Sequence, residues 1–377
     1  MTNNDLLPEP IYIDTSQELH ELITTLRTEK RIAVDTESDS LYVYHEKVCL
    51  IQFSTSTADY LVDPLCGIDV SELGMIFADP TIEKVFHAAE YDVICLRRDY
   101  GFEFTNLFDT MQAARILGLP KLGLSSLLEE YFAVIVDKRF QKADWGKRPL
   151  SPAMVHYARL DTHYLIPLQE KLSSALQKSK QLKVAREDFV RIARSTSSPN
   201  DKPCYTAVRG YHTLAPQQLA VLAELCAYRD RIANQADLPP FKILGSAVLL
   251  EIAKTSINGS DELSSVPGLS DRLFHRYSKG LLEAIRLGKS KPPIYLDHRC
   301  KPSETYIARL ERLKKWRLKL ANEKKVESDV ILPREILEEI AKIDPTTDQD
   351  LALLMQDVPE RFHLYGPSIL KILKEQS

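Results

Sequence analysis

The sequence predicts a mixed β-sheet covered by helices, followed by two copies of a small all-helical module. Three observations carry this expectation. Short apolar runs bounded by turn-prone residues crowd residues 31–63, the apolar period turns helical from His87 onward, and the region beyond residue 216 repeats itself. A meander of strands feeding into helices is the pattern of an α/β or α+β core.

At 377 residues the chain exceeds a typical single domain, so two or three domains are expected. Its 44% apolar and 27% charged residues are ordinary for a soluble globular protein. No apolar run approaches the length of a membrane span, and the opening MTNNDLLPEP lacks the basic and apolar regions of a secretory signal. The expected location is the cytoplasm. Cys49, Cys66, Cys95, Cys204, Cys226 and Cys300 show no C-x-x-C spacing, which argues against a disulfide framework or a structural zinc site. A net charge of -4 offers no global attraction to nucleic acid, so such a partner would have to meet local basic patches.

Taken in order, RIAVDTE, VCLIQFST and DYLVDP read as strands. AAEYDVICLRRDYG, DTMQAARILG and LGLSSLLEEYF read as helices, with Gly101 and Gly118 as C-caps. SPAMVHYARLDTHYLIPLQEKL opens a helix with Ser151 as N-cap and Pro152 at the first helical position. The Ser-, Thr- and Pro-rich stretch 195–216 reads as a domain boundary. Beyond it, LCAYRDRIANQADLPPFKILGSAVLLEIA (225–253) aligns without a gap on LKKWRLKLANEKKVESDVILPREILEEIA (313–341), ten of 29 positions being identical. KPPIYLDHRCKPSE links the copies. The expected domains are residues 1–195, 214–288 and 303–377.

Asp35 and Glu37 close an apolar strand. Residues two apart share a strand face, so these carboxylates crowd each other until solvent, a base or a divalent cation offsets the repulsion. The helix opening at Ser151 has an inward stripe of Met154, Tyr157, Ala158, Asp161 and Leu165. A carboxylate inside an apolar face is costly unless paired or metal-bound. Tyr157 is its neighbour one turn away. A third acid, Asp92, falls in the first turns of a helix, where the dipole favours its charge.

In that order, and on strand, helix and helix, Asp35-x-Glu37, Asp92 and Tyr157-x-x-x-Asp161 resemble the three motifs of the DEDDy exonuclease superfamily. The strings VDTES, FHAAEYD, LFDTMQAARIL and DWGKRPLSPAMVHYARLDTHYLIPL are similar to ribonuclease D, and the repeated modules resemble HRDC domains. The resemblance covers nearly the whole chain. It implies an RNase H-like exonuclease domain and a metal-dependent 3′-5′ exoribonuclease releasing nucleotides from RNA 3′ ends. The implied partner is a tRNA precursor or other structured RNA with a single-stranded 3′ end. It further implies that Asp35, Glu37, Asp92 and Asp161 hold two divalent cations, Mg²⁺ or Mn²⁺. Asp35 would serve both, Glu37 and Asp161 the water-binding one and Asp92 the other, while Tyr157 would orient or deprotonate the attacking water. Oxygen ligands suit those cations, and paired cations suit in-line displacement at phosphorus. A DNA 3′-5′ exonuclease would use the same four acids, since nothing in these motifs reads a 2′-hydroxyl. A non-catalytic RNA-binding scaffold would be free to lose one of them.

Two basic segments bear on substrate. Residues 137–148 carry Lys138, Arg139, Lys142, Lys147 and Arg148 beside Phe140 and Trp145, next to the helix of Asp161, and are the expected substrate contact. Residues 309–325 hold eight bases against two acids but read nearly as well as a solvated helix face, and Trp316 matches Tyr228 in the repeat as a core position. Asp109 is read as the cap of the helix beginning TMQAARIL. His87 is either a substrate contact or a structural histidine. Gly288-Lys289-Ser290 echoes a phosphate-binding loop, yet Glu283 stands where its first glycine belongs and a helix precedes it, so no nucleotide-triphosphate motor is expected.

Overall fold

The computed structural model describes residues 7–196, 203–296 and 303–374. Cys300, the first six residues of the opening segment, parts of both stretches read as linkers and the last three residues of the third expected domain lie outside them. The chain forms two compact units. One comprises Met1–Ser38, Val48–Thr196 and Pro302–Ser377, the other Asp39–Lys47 and Ser197–Lys301. These borders differ from those of the three segments read from the sequence.

The first unit is built on a six-stranded mixed sheet in the order β1-β4-β3-β2-β5-β6. Its strands are β1 (Ile11–Ile13), β2 (Arg31–Ser38), β3 (Val48–Ser54), β4 (Asp59–Val62), β5 (Glu83–Phe86) and β6 (Leu107–Asp109). β3 runs antiparallel to both β2 and β4, while the remaining pairs are parallel. The sheet is covered by α1 (Ser16–Leu26), α2 (Leu73–Ala78), α3 (Glu90–Tyr100), α4 (Thr110–Ile116), α5 (Leu124–Phe132), α6 (Pro152–His163), α7 (Leu165–Lys178) and α8 (Leu182–Ala193). This is the mixed, helix-covered sheet that the sequence predicts.

Two details differ from the sequence reading. The run opening at Ser151 is two helices, because Tyr164 leaves helical geometry (φ -97°, ψ 1°) and restarts the chain as α7. Pro167 then falls in the first turn of α7, where a missing N–H costs nothing. The short strands β1, β5 and β6 also escaped notice, each being held by parallel pairing with a distant partner rather than by its own pattern.

β3 is buried along its whole length and separates two apolar faces. Ile51 and Phe53 belong to the main core with Val34, Val85 and Phe86. Leu50 sits in a second cluster with Leu61, Trp145, Tyr157 and Ala158, which is the face that α6 covers.

The copy of the helical module at Glu304–Lys324 through Pro359–Lys374 belongs to this first unit. It has its own core around Leu313, Leu332, Leu337, Ile340, Leu351 and Ile369, where Trp316 packs edge-on to Tyr365 as a partly buried member. Arg361, fully buried, reaches Glu187 at 2.9 Å and Asp188 at 2.8 Å on α8. Gly118 sits in the left-handed region (φ +71°), and a Cβ there would come within 2.6 Å of the Lys325 carbonyl oxygen, so only glycine fits.

The second unit holds the other copy, running from Pro216–Ala236 to Asp271–Ser290, together with the 39–47 excursion between β2 and β3. Its two long helices touch at Gly288, where a Cβ would lie 2.4 Å from the Val221 Cα. Gly288 thus serves helix packing, and Lys289 Nζ donates to the Ile257 carbonyl at 2.7 Å, which leaves no phosphate loop at this tripeptide. The five described cysteines are free thiols. Among the described residues no helix is long and apolar enough to cross a membrane.

Candidate active site

The site forms where β2 ends beneath α6. Asp35 and Glu37 share a face, and their partners across the ladder are Gln52 and Leu50 of β3. A bulge at Glu37/Ser38 then breaks the register, a common device for aiming side chains at a sheet edge. Ser151 caps α6 by accepting from the Met154 amide at 3.3 Å, with Pro152 at the first position. The helix therefore presents Tyr157, Ala158 and Asp161 inward, all buried. One carboxylate oxygen each from Asp35, Glu37 and Asp161 lies within 4.8 Å of the others.

Asp92, buried in the first turn of α3, stands outside that trio but next to it. The Thr36 hydroxyl, from the strand between Asp35 and Glu37, donates to Asp92 Oδ1 at 2.5 Å. Asp109 caps α4 through the Gln112 amide at 2.9 Å, as expected. It also accepts from the Ala89 amide at 2.7 Å and the Ala88 amide at 3.3 Å. Ala88 is in the left-handed region (φ 64°), a costly turn for a residue with a Cβ, and Asp109 holds it in place to start α3. That second role of Asp109 left no local sequence signal.

The electrostatics are those of crowded acids. Burial first, then repulsion from Asp92, Asp161 and Glu37, holds the Asp35 carboxyl well above the carboxylate range. Glu37 is raised likewise by burial, Asp161 and Asp92. Burial pushes Asp92 and Asp161 up to about 7. Tyr157 donates a hydrogen bond to Asp161, and burial with the charges of Asp161, Glu37 and Asp35 keeps it a protonated phenol. None of the four carboxylates has a salt-bridge partner among the described residues. An all-oxygen, uncompensated donor set of this kind fits a hard divalent cation.

Asp35, Glu37 and Asp161 open into a cavity of about 470 Å³ lined also by His87, Leu124, Lys138, Gln141 and Tyr157. His87 Nδ1 lies 2.9 Å from the Thr110 hydroxyl, which donates to the Phe86 carbonyl at 2.9 Å. Nδ1 therefore carries the proton. Burial lowers this imidazole to about 4, so it is neutral with Nε2 as an acceptor.

Of the five bases expected to meet substrate, Lys138 alone lines the cavity. Arg139 folds back on Asp137 at 2.6 Å, and Lys147 pairs with Asp144 at 3.3 Å. Lys142 closes the short 3₁₀ turn that begins at Lys138. Arg148 requires a correction. Its guanidinium binds buried Asp63 at 2.5 and 2.7 Å and the carbonyls of Cys49 (2.6 Å), Trp145 (2.7 Å) and Lys147 (2.8 Å). With every donor used inside the fold, it staples the 137–150 segment to the sheet and has none left for a phosphate. Gln141, at the cavity, was missed because an uncharged residue in a basic run carries no signal.

This fold and this cleft define a nuclease domain with appended helical modules. Residues 10–177 match the family described as 3′-5′ exonuclease, and residues 218–285 and 307–373 match the HRDC domain. The crystal structure of Escherichia coli RNase D, described as an exoribonuclease involved in structured RNA processing, superposes with a TM-score of 0.74 at 25% identity, over 97% of this chain and 99% of that one. Ribonuclease D of Gluconacetobacter diazotrophicus is 30% identical over 289 residues, covering 76% of this chain and 73% of the relative. The chain belongs to the ribonuclease D family. The exosome complex exonuclease RRP6 of Saccharomyces cerevisiae is 36% identical over 257 residues, 64% of this chain, and the match spans 35% of the yeast protein's length.

Proposed function

We propose that the protein is a metal-dependent 3′-5′ exoribonuclease that removes nucleoside 5′-monophosphates from single-stranded 3′ ends of structured RNA, tRNA precursors among them. The observation that carries this reading is the convergence of Asp35, Glu37 and Asp161 within 4.8 Å, with Tyr157 bonded to Asp161. Asp35, Glu37, Asp92 and Asp161 are the ligands for two cations, Mg²⁺ or Mn²⁺. Such cations, when bound, supply an activated water and charge stabilisation for in-line displacement at phosphorus. Asp35 is central because its charge is coupled to all three others. Asp92 is held by Thr36 for the second cation. Tyr157, a phenol rather than a phenolate, orients the attacking water and does not take its proton.

Lys138 is the base placed to meet the backbone of the terminal nucleotides, with Gln141 beside it. Arg139, Lys142 and Lys147 serve approaching RNA from outside the cavity. Residues 1–195 are the catalytic domain, and residues 214–288 and 303–377 are modules for RNA binding.

The test is release of 5′-mononucleotides from 3′-labelled RNA and matched DNA single strands, with Mg²⁺ or with chelator. RNA should be shortened stepwise only with metal. Tyr157→Phe should slow turnover roughly 10²-fold, the scale of a reacting water left out of position. Asp35→Asn should abolish it. Metal-independent release, or an Asp35→Asn protein with near-normal turnover, rules the reading out.

A further inference from the structure

Gln52 is a polar side chain for which the described residues supply no partner. It is fully buried, and neither its amide nitrogen nor its amide oxygen has a hydrogen-bond partner among the described residues. Burying such a group without a partner is costly, and native proteins keep few of them without a reason.

Its place in the sheet supplies the reason. In the β2–β3 register Gln52 stands directly opposite Asp35. Directly opposed residues of an antiparallel pair project from the same face, with Cβ atoms about 4.5–5.5 Å apart. The neighbours of Gln52 on that face of β3 are Leu50, clustered with Tyr157 and Ala158, and Ser54, whose hydroxyl donates to Thr162 at 2.7 Å. Gln52 therefore lies under α6, between the turn that carries Tyr157 and the turn that carries Asp161 and Thr162. An amide with two unused N–H bonds sits beside the carboxylate whose charge couples to all the others.

We propose that Gln52 is a positioning residue for Asp35. Resting on the metal-dependent reading above, the inference is that the Gln52 amide donates to the Asp35 carboxylate once a cation aligns it, and so fixes the orientation in which it serves as ligand. The chemistry explains why the residue is glutamine. A lysine or arginine at this depth would also donate, but its charge would neutralise the cluster and compete with the cation. A serine would be neutral but too short to reach. Glutamine brings a donor with reach and no charge. Hydrogen bonds to metal-ligating side chains are worth about 10–100-fold in metal affinity or activity.

The experiment uses the full chain with Gln52→Met and, as a second shape, Gln52→Leu. Mn²⁺ binding is measured by titration calorimetry, and the Tm is measured in chelator. The expected result is Mn²⁺ affinity about 10-fold weaker or more, with the metal-free Tm unchanged or higher because the unpartnered amide is gone. The Mn²⁺ concentration giving half-maximal turnover should rise by a similar factor. Mn²⁺ affinity within about 2-fold of wild type in both variants overturns the proposal. So does a fall in metal-free Tm in both, which makes Gln52 a packing residue. A wild-type protein that binds Mn²⁺ but shortens no RNA refutes the nuclease reading alone, because the calorimetric comparison still decides the role of Gln52.

Discussion

Four crowded carboxyls, Asp92 and Asp161 buried and Asp35 and Glu37 half-buried, with no base among them, should make the metal-free protein's stability depend on pH in a defined direction. In the native state Asp92 and Asp161 stand at about 7, with Asp35 and Glu37 also raised by burial and mutual repulsion. In the unfolded chain such groups titrate near about 3.9 and 4.3. Between those limits the native state holds more protons than the unfolded one. The contribution of these groups is present at low pH and is lost as pH rises through the native values. A bound cation replaces those protons, so the gain in Tm from saturating Mg²⁺ should be small near about pH 5 and several degrees by about pH 8. Scanning calorimetry at the two values checks this, and equal gains at both would contradict it. His87 titrates in the opposite sense, its imidazole being lowered to about 4, so it is already largely neutral across this range. At this scale the sequence was legible wherever periodicity alone fixes a direction. Alternation put Asp35 and Glu37 on one face, and the helical stripe put Tyr157 and Asp161 inward. Gln52, Gln141 and the second role of Asp109 depend on which strand or turn lies opposite, and no local pattern encodes that.

At the scale of elements, the joint between α8 and the C-terminal helix Pro359–Lys374 rests on buried charge. Arg361 is fully buried against Glu187 and Asp188 and also donates to the Val330 carbonyl at 3.1 Å. Glu187 in turn accepts from the Glu360 and Arg361 amides, and so caps the helix that carries its own counter-ion. Removing one partner of a buried ion pair strands the other charges. Arg361→Met should therefore cost about 3–5 kcal/mol in denaturant unfolding, far more than the lost packing. Adding Glu187→Gln should recover part of the loss, since the amide keeps an acceptor for the two N–H groups and removes one stranded charge. A double variant no more stable than Arg361→Met would show that the stranded charge is not the cause. The joint was invisible in the sequence because its members are 173 and 174 residues apart. For the same reason the break between α6 and α7 was missed while the caps at Ser151 and Asp109 were found. Caps are local chemistry, whereas a break is decided by what the helix packs against.

For the molecule as a whole, the proposed function requires a chain of net charge -4 with an acidic cavity to attract a polyanion. The 29-residue internal match identified two helical modules, yet did not reveal that the second joins the sheet's compact unit while the first joins the 39–47 excursion. That division follows from tertiary contacts such as Arg361 with Glu187 and Gly118 against Lys325. It also changes the meaning of the basic run 309–325. Arg309 bonds Asp344 and the Ala341 carbonyl, Lys314 pairs with Glu311, and Arg317 bonds Asp329 and the Leu332 carbonyl. Arg309, Lys314 and Arg317 are thus committed within the module, two of them to backbone carbonyls that a phosphate would have to displace. Lys138 has no such commitment in the hydrogen bonds of its turn and lines the cavity itself. On single-stranded RNA each phosphate contact adds about 0.7 to the steepness of log affinity against log salt. Lys138→Ala should flatten that slope by about this amount with little change in Tm. Arg317→Ala should do the reverse, lowering Tm while leaving the slope intact. Affinity for a short 3′ single strand across a salt series, with Tm measured on the same samples, separates the two. If Arg317→Ala flattens the slope and Lys138→Ala does not, substrate is held by the C-terminal module rather than at the mouth of the acidic cavity.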